Sequence, residues 1–207
     1  MSDVTTISNN VELRAVIGDK IEMLEAKVSD RLDEFSREYI QKSPFLILST
    51  ADAEGRCDAS PKGDAPGFVE IVDDRTLIIP DRPGNKLAYG HENVLANPYV
   101  GLLFMIPGTT ETLRINGSAE LDSSEELRDK LAARGKPATL AIRVNIEACF
   151  FHCSKAFIRS DLWKPDSWAQ TPYKVSFGKI MAKKENLPDE AADALDEAIE
   201  NDYRENL

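Results

Sequence analysis

Residues 149–163, CFFHCSKAFIRSDLW, place two cysteines and a histidine within five positions. Thiolate sulfur and imidazole nitrogen are the groups that zinc prefers, so Cys149, His152 and Cys153 first suggest a metal site. Alternate side chains of a strand point to opposite faces, however, which would separate His152 from the two cysteines. Because the chain has only one other histidine, His91, we expect no metal site here.

The same stretch also carries cations and an aromatic ring. Lys155 and Arg159 can bind an anionic group, and Trp163 can cover the face of a flat ligand. Trp163 has a simpler interpretation as a core or interface aromatic residue. The cations suggest a ligand that is both anionic and planar.

A second candidate anion site lies at residues 78–90, IIPDRPGNKLAYG. A buried strand is predicted to end at Pro80, and a helix is predicted to begin near Lys86. Free amide hydrogens and the positive end of a helix favour phosphate, and two basic side chains flank this helix start. The alternative is a polar loop with solvated cations. The loop presents these polar residues: Asp81, Arg82, Asn85 and Lys86.

Two predicted strands add further cations. Ser60 and Lys62 lie two residues apart in DASPKGD, so both side chains point to one face. Thr112 and Arg114 have the same spacing in ETLRING and are predicted to share that face in a barrel. Lone charges on strands are usually just exposed, but three segments that each pair a cation with a hydroxyl or amide favour an anionic cofactor.

The elements around these residues predict a small antiparallel barrel. Residues 10–42 have helical periodicity, whereas the chain from residue 43 alternates short β-prone runs with turns. A doubly wound parallel sheet would alternate strand and helix throughout. The predicted strands are FLILSTA, RCDASP, FVEIV, TLIIP, YVGLLFMI, ETLRINGSAEL and ATLAIRVNIEACFFH; the predicted helices are NKLAYGHENVLAN, SSEELRDKLAARG, SKAFIRSDLW and a polar C-terminal region.

Composition and charge exclude several classes of protein. A net charge of −11 over 207 residues argues against a general nucleic-acid binder. Three cysteines and no long apolar run favour a reduced, cytoplasmic protein with no membrane segment. Gly-x-Ser-x-Gly, Walker and Gly-x-Gly-x-x-Gly motifs are missing, which disfavours hydrolases and nucleoside triphosphatases. His91 is predicted to be an exposed helix residue.

The acidic tail, residues 185–207, holds nine acids and one arginine and so carries −8 of the net charge. Its predicted apolar stripe would dock the helix on its own chain or on a partner: Ala191, Leu195, Ala198 and Ile199. No chemical role is expected for it.

Residues 45–163 resemble the pyridoxamine 5'-phosphate oxidase-like FMN-binding split-barrel family, in particular a bacterial branch of FMN-dependent enzymes of unknown substrate. The resemblance rests on the order of four segments: FLILSTADAEGRCDASPKGD, LIIPDRPGNK, NPYVGLLFMIPGTTETLRINGSAEL and CFFHCSKAFIRSDLW. It implies a mainly β (α+β) fold, an antiparallel Greek-key split β-barrel with flanking N- and C-terminal helices. The expected division is a helical extension at 1–42, the FMN-binding barrel at 43–165 and a helical extension with the acidic tail at 166–207.

The resemblance also implies a homodimer with FMN at the subunit interface and no catalytic side chain, because the flavin carries the redox chemistry. Arg159 and Trp163 are expected near the substrate. The implied FMN contacts are Ser60, Pro61 and Lys62 along the flavin; Pro80, Asp81, Arg82, Asn85 and Lys86 in the phosphate loop; Thr112 and Arg114 at the ring or phosphate; and Ser154 and Lys155 from the partner subunit.

The implied activity is an FMN-dependent oxidoreductase that transfers electrons between NAD(P)H or another donor and a small organic substrate. The basic C-terminal substrate motif of the true pyridoxamine phosphate oxidases is replaced by the acidic helix, so a different substrate is expected. The alternative is a non-catalytic binder of flavin, haem or a related cofactor, because a shared barrel does not fix the activity.

Overall fold

A computed structural model of the chain describes residues 6–205. The outermost residues of the predicted N-terminal extension and acidic tail, 1–5 and 206–207, lie outside the described residues. Residues 10–42, which were predicted to be helical, contain three separate helices: α1 Asn10–Ile17, α2 Glu22–Glu25 and α3 Glu34–Lys42. Only α3 buries side chains, and the Asp33 carboxylate that caps it accepts from the backbone N–H of Ser36.

Seven antiparallel strands form a single sheet in the order β2-β1-β5-β6-β7-β4-β3. This arrangement confirms the predicted α+β fold class and its antiparallel barrel-like sheet. One predicted strand, FVEIV, shrinks to the two residues of β3. The strands are β1 Phe45–Ala51, β2 Cys57–Gly63, β3 Glu70–Ile71, β4 Thr76–Pro80, β5 Tyr99–Met105, β6 Thr112–Asp122 and β7 Ala141–His152.

The strands bury one face, as their alternating apolar residues predict. On β1, Leu46 and Leu48 are buried while Ile47 between them is half-buried. α3 adds Ile40 to the same core. The remaining fully buried large residues come from the central strands and β4: Leu77, Ile79, Leu102, Phe104, Leu113, Ile115, Ile142 and Val144.

A β-bulge interrupts the pairing of β6 with β7. Asn116 pairs with Ala148 and Gly117 pairs with Ile146, so Glu147 has no partner on β6. A Cβ atom at Gly117 would lie 1.9 Å from the carbonyl oxygen of Asn145, so only glycine fits there. The bulge shifts the alternation of β7, which buries Ile146 before it and Cys149 after it.

Five helices follow or interrupt the strands: α4 Tyr89–Ala96, α5 Glu125–Lys130, α6 Lys155–Ser160, α7 Phe177–Glu185 and α8 Asp189–Glu205. The prediction that a helix begins near Lys86 is wrong, because Lys86 and Ala88 adopt positive φ values of 59° and 56° and delay α4 to Tyr89. α5 is also shorter than predicted and ends before Gly135.

The acidic helix α8 packs on α7 of the same chain. A Cβ atom at Gly178 would lie 2.0 Å from the carbonyl oxygen of Ala192, which shows how closely the two helices approach. Asp196 accepts hydrogen bonds from the backbone of Gly178, at 2.7 Å, and from the hydroxyl of Ser176. In the predicted stripe Ala191, Leu195 and Ile199 are half-buried, but Ala198 is exposed and Ala192 is buried in its place. Among the described residues no helix is long and apolar enough to cross a membrane.

Candidate functional site

Ser60 and Lys62 lie on one face of β2, as their spacing predicts. Strand register pairs Ser60 with Leu48 and Lys62 with Leu46, so both side chains share the face of the buried β1 residues. Both are half-buried. A Cβ atom at Gly90 would lie 3.5 Å from the Ser60 hydroxyl, so the start of α4 covers this part of β2.

Two crossed ion pairs join the end of β2 to the loop after β4. Lys62 Nζ contacts Asp81 Oδ1, and Arg82 Nε lies 2.8 Å from Asp64 Oδ2. The end of β2 and the loop after β4 therefore each contribute one acidic and one basic residue. Because β2 and β4 stand far apart in the order of the sheet, side chains rather than backbone hydrogen bonds close the barrel at this corner.

Asp81 is the most buried member of this cluster, with 6% of its surface exposed. Its backbone N–H donates to Leu140, at 2.8 Å, and its carbonyl accepts from Thr139, at 2.9 Å. Burial opposes ionisation of the carboxyl, but the neighbouring His91 and Lys62 outweigh burial and hold its pKa below the ordinary value. Asp81 is therefore a fixed, ionised anchor for Lys62.

His91 joins the cluster, so the prediction that it is an exposed helix residue is wrong. Its Nε2 lies 3.4 Å from Asp81 Oδ1, within ion-pair range, but the atom is buried without an aligned hydrogen-bond partner. With α4 beginning at Tyr89, His91 falls in the first turn and faces the preceding loop. Gly90, Asn93 and Val94 mark the inner face of α4, and His91 lies beside that face, so helical spacing gives no signal for its contact with Asp81.

Asn93 ties the same helix to the first hairpin. Its Nδ2 donates to Thr50 Oγ1, at 3.0 Å, and to Asp58 Oδ2, at 2.8 Å. Thr50 and Asn93 are both buried. This polar contact, which sequence reasoning missed, fixes α4 over β1 and β2.

The predicted phosphate loop follows Pro80, the buried end of β4. Arg82 already has two partners within the chain. Besides its ion pair with Asp64, its NH1 donates to the carbonyl of Leu131, at 2.8 Å. Asn85 Oδ1 accepts from the N–H of Leu87, at 3.1 Å, and Lys86 is exposed. Because α4 begins only at Tyr89, the helix N-terminus does not stand at Lys86 as expected.

A pocket beside this loop gathers more positive charge than the sequence predicts. Arg82, Arg134 and Lys136 line it together with a single acid, Asp64, which Arg134 approaches to 3.9 Å. Sequence reasoning missed Arg134 and Lys136, which belong to the segment between α5 and β7. In a chain with a net charge of −11, three cations around one acid favour an anion.

Arg114 and Thr112 lie on the opposite face of the sheet, so the prediction that they share the face of Ser60 and Lys62 is wrong. Register runs from Pro61 through Ile47 and Leu103 to Arg114 and on to Phe150, one row across five strands. The face of the sheet on which a side chain lies depends on the register between strands, and the spacing of residues within one strand does not reveal that register. Thr112 is buried two residues from Arg114.

The Arg114 guanidinium lies over the ring of Phe150, 4.2 Å from its centroid, while Arg114 Nε is buried without an acceptor. His152 also packs against Phe150, with ring centroids 4.9 Å apart. Burial and the nearby Arg114 charge lower the pKa of His152 and favour its neutral form. This face thus combines one cation, one aromatic ring and one neutral imidazole.

Cys149 points away from His152 into the core, where burial raises the pKa of its thiol to about 11. Cys153 is exposed. Between residues 6 and 205 no three Cys, His, Asp or Glu side chains are grouped so that they could hold a metal ion. The expected lack of a metal stays a prediction.

The segment after β7 carries the other predicted site residues. Ser154 is half-buried, and Lys155 and Arg159 are exposed on α6. Trp163 stacks on Phe157 with ring centroids 5.8 Å apart, and its Nε1 is buried without an acceptor. The structure therefore sorts the predicted residues into two groups, one around Lys62 and Arg82 and the other around Arg114 and on α6.

The residues present fit a planar anionic ligand. Among the residues that the structure describes, three buried nitrogens lack hydrogen-bond partners: His91 Nε2, Arg114 Nε and Trp163 Nε1. Buried polar atoms are usually paired, and leaving one unpaired costs about 1–3 kcal/mol. A ligand with a phosphate and ring carbonyls offers the acceptors that these nitrogens and the nearby cations require.

Comparisons with known proteins identify a family. The family model described as pyridoxamine 5'-phosphate oxidase matches residues 32–153, more than half of the chain. No curated protein matches the chain. Among the solved structures that resemble the chain at low identity are the following three. HupZ from Group A Streptococcus is 18% identical, with a TM-score of 0.48, over 58% of this chain and 93% of that chain. General Stress Protein 26 from Bacillus anthracis is 15% identical, with a TM-score of 0.44, over 56% and 92%. HutZ, the heme storage protein from Vibrio cholerae, is 16% identical, with a TM-score of 0.40, over 59% and 94%.

Proposed function

Because the chain belongs to the pyridoxamine 5'-phosphate oxidase family, we propose that it binds FMN and acts as an FMN-dependent oxidoreductase on a small organic substrate. The proposal rests on a cluster of cations within the segment that matches the family. Lys62 and Arg82 meet at the corner where β2 approaches the end of β4. Arg82 also lines the adjacent pocket, together with Arg134 and Lys136.

The FMN phosphate is assigned to the loop after Pro80. Arg82, Asn85 and Lys86 offer two cations and an amide, and Arg134 adds a third cation from the segment before β7. A phosphate dianion forms its strongest hydrogen bonds with such cations. Arg82 is already oriented by Asp64 and the Leu131 carbonyl, so little side-chain entropy would be lost when phosphate binds.

The flavin ring is assigned to Ser60 and Lys62; Pro61, which the resemblance also implies, lies between them on the opposite face of β2, in the row that leads to Arg114. Bound FMN would supply electron and hydride transfer, which no side chain of the chain can provide. The Lys62 ammonium, held by Asp81, lies where it would favour negative charge on a reduced ring. The protein would thus position the ring and stabilise its charge.

The second group of residues is assigned to a partner subunit. Arg114 lies on the face of the sheet opposite Lys62, so the two side chains cannot reach one ligand on the Lys62 face within a single chain. Ser154 and Lys155, at the start of α6 after β7, are grouped with Arg114. A symmetric homodimer would bring this group of one subunit against the phosphate loop of the other. Arg159 and Trp163 would then lie on the substrate side, and NAD(P)H is the expected electron donor.

Calorimetry with FMN and riboflavin tests the binding proposal, because the two ligands differ only in the phosphate. We expect FMN to bind at least about tenfold more tightly, since a charge-assisted hydrogen bond contributes roughly 1.5–3 kcal/mol. Equal affinities would contradict the phosphate assignment. Reduction of the bound flavin by NADH or NADPH, followed by its absorbance, then separates an oxidoreductase from a non-catalytic binder.

A further inference from the structure

A groove on the outer face of the sheet, the face that carries Arg114, belongs to neither of the two groups of predicted site residues. Its volume is about 380 Å³, which lies within the range of small-molecule sites. It crosses the strands β1, β5, β6 and β7, and its polar lining includes Ser49, Tyr99, Asn116 and Glu147. The groove is therefore large and polar enough for a small organic ligand.

Two glycines form the floor of the groove. Gly101 lies in one row with Ser49 and Asn116, and Gly117 follows on β6. The bulge requires glycine at Gly117, but packing does not require it at Gly101, where the nearest atoms to an added Cβ would stand at 3.7 Å. Glycine weakens a strand and often marks a place where a ligand approaches the backbone closely. The missing side chain at Gly101 thus keeps the groove open.

The β-bulge adds an acid to the groove. Between the buried residues Ile146 and Cys149, two successive residues of β7, Glu147 and Ala148, both face outward. Glu147 is the extra residue that has no partner on β6. In the part of the chain that the structure describes, its carboxylate has no ion-pair or hydrogen-bond partner. The bulge therefore presents an unpaired negative charge at the β7 side of the groove.

No cation balances this charge within the groove. Among the described residues that line it, none is Lys, Arg or His. Arg114 lies two residues from Asn116, but its guanidinium is placed over Phe150 on β7, and neither Arg114 nor Phe150 lines the groove. The net charge of −11 adds a negative potential from the rest of the chain. The groove therefore favours a cation, whereas the pocket beside the phosphate loop favours an anion.

We propose that the groove binds a small organic amine in its protonated form, with the ammonium group at Glu147. The side chains of Ser49 and Asn116, which have no hydrogen-bond partner among residues 6–205, bind polar atoms of the ligand. The exposed ring of Tyr99 on β5 contacts its apolar part. β5 and β7 lie two strand spacings apart, roughly 10 Å, so a ligand with a cation at one end and a flat apolar group at the other matches the groove. The site uses none of the assigned FMN contacts and does not depend on the proposed function.

NMR titration of the isotope-labelled, full-length chain at neutral pH tests the proposal with three probes of similar shape: phenethylamine, phenethyl alcohol and phenylacetate. They carry a positive charge, no charge and a negative charge. The amide signals of Gly101 and Gly117 report binding in the groove. Glu147→Gln removes the acid with little change in shape, and Gly101→Ala places a methyl group in the floor. Asp193→Asn on α8 removes an exposed acid outside the groove and is the matched control.

We expect phenethylamine to shift the two glycine signals and to bind about fivefold more tightly than phenethyl alcohol, as an ion pair with an exposed carboxylate permits. Phenylacetate should bind more weakly than the alcohol. Glu147→Gln should reduce the affinity for the amine to that for the alcohol, Gly101→Ala should weaken the binding of both, and Asp193→Asn should change neither.

Equal affinities for the amine and the alcohol, or an affinity for the amine that Glu147→Gln leaves unchanged, would overturn the proposal. Binding of the amine without shifts at Gly101 and Gly117 would place it elsewhere on the protein and would also overturn the proposal, as would a lack of binding by all three probes. None of these results bears on the phosphate loop, and the comparison of FMN with riboflavin tests the proposed function separately.

Discussion

Lys62 and Asp81 form an ion pair that is largely shielded from water, with 16% and 9% of their side chains exposed. A buried pair of this kind adds little to stability compared with an apolar pair, but removing one partner leaves the other charge uncompensated. The pair is therefore better explained by its position beside the proposed flavin than by its contribution to folding.

Asp81→Asn tests the pair through the pH dependence of stability. The folded-state pKa of Asp81 lies below its ordinary value of 3.8, so the carboxylate stabilises the fold above that pH and the stabilisation is lost as the pH falls through the lower folded value. At pH 7 the variant should unfold more easily by about 3 kcal/mol, because Lys62 loses its counterion. The deficit should shrink below about pH 4.

Urea unfolding between pH 7 and pH 2.5 measures this difference, with Asp193→Asn on the exposed side of α8 as the control. A deficit of constant size across the pH range would show that the Asp81 charge is not what stabilises the corner.

Single residues show where sequence reasoning succeeds and fails. The common face of Ser60 and Lys62 follows from the two-residue period of a strand, and it is correct. The contact between His91 and Asp81 joins segments that local sequence patterns do not connect. The positive φ values that delay the start of α4 occur at Lys86 and Ala88, and because neither residue is a glycine, the sequence does not predict them. The polar partners of Lys62 and Arg82 could not be assigned for the same reason.

At the scale of elements, the β6–β7 pair depends on its bulge. Gly117→Ala would force a Cβ atom to within 1.9 Å of the Asn145 carbonyl, where backbone rather than a flexible side chain must shift. We expect a loss of about 3 kcal/mol in the free energy of unfolding, at the upper end of the usual cost of overpacking. Urea denaturation would measure it.

Gly101→Ala on the neighbouring strand is the matched control, because a Cβ atom there would meet its nearest atoms at 3.7 Å, an ordinary contact. A similar loss in both variants would contradict the proposed role of the bulge. Any shift in β7 would also move Phe150 and His152, so Gly117→Ala should disturb the face that carries Arg114.

Most elements were predictable from sequence, because strand alternation and turn residues are local signals. The long strands β1, β5, β6 and β7 follow their apolar runs. The pairing order of the sheet and the bulge at Glu147 depend on contacts between distant segments, and these decide that Arg114 and Lys62 lie on opposite faces. The predicted division into parts at 1–42, 43–165 and 166–207 stays a prediction.

At the scale of the whole molecule, several apolar side chains outside the sheet stay in solvent. On the N-terminal helices Val11 is 80% exposed and Met23 is 78% exposed, and α1 and α2 bury no residue. Phe177 and Met181 of α7 are also exposed. Surfaces of this kind often mark contacts with another chain, which supports the proposed homodimer.

The central claim is that each FMN site is built from two copies of the chain, and mixing two defective variants tests it most directly. Lys86→Gln removes a cation from the phosphate loop, and Arg114→Gln removes the cation from the opposite face. Each variant alone should bind FMN about tenfold or more weakly, as loss of a charge-assisted hydrogen bond predicts. Both should form dimers of normal mass by light scattering.

When the two variants are unfolded together in equal amounts and refolded, a shared site predicts that mixed dimers regain one intact site each. About a quarter of all sites should then bind FMN with wild-type affinity in a calorimetric titration, because half of the dimers formed at random are mixed. Refolded mixtures that bind no more tightly than either variant alone, although mixed dimers form, would contradict the shared site and place each FMN within a single chain.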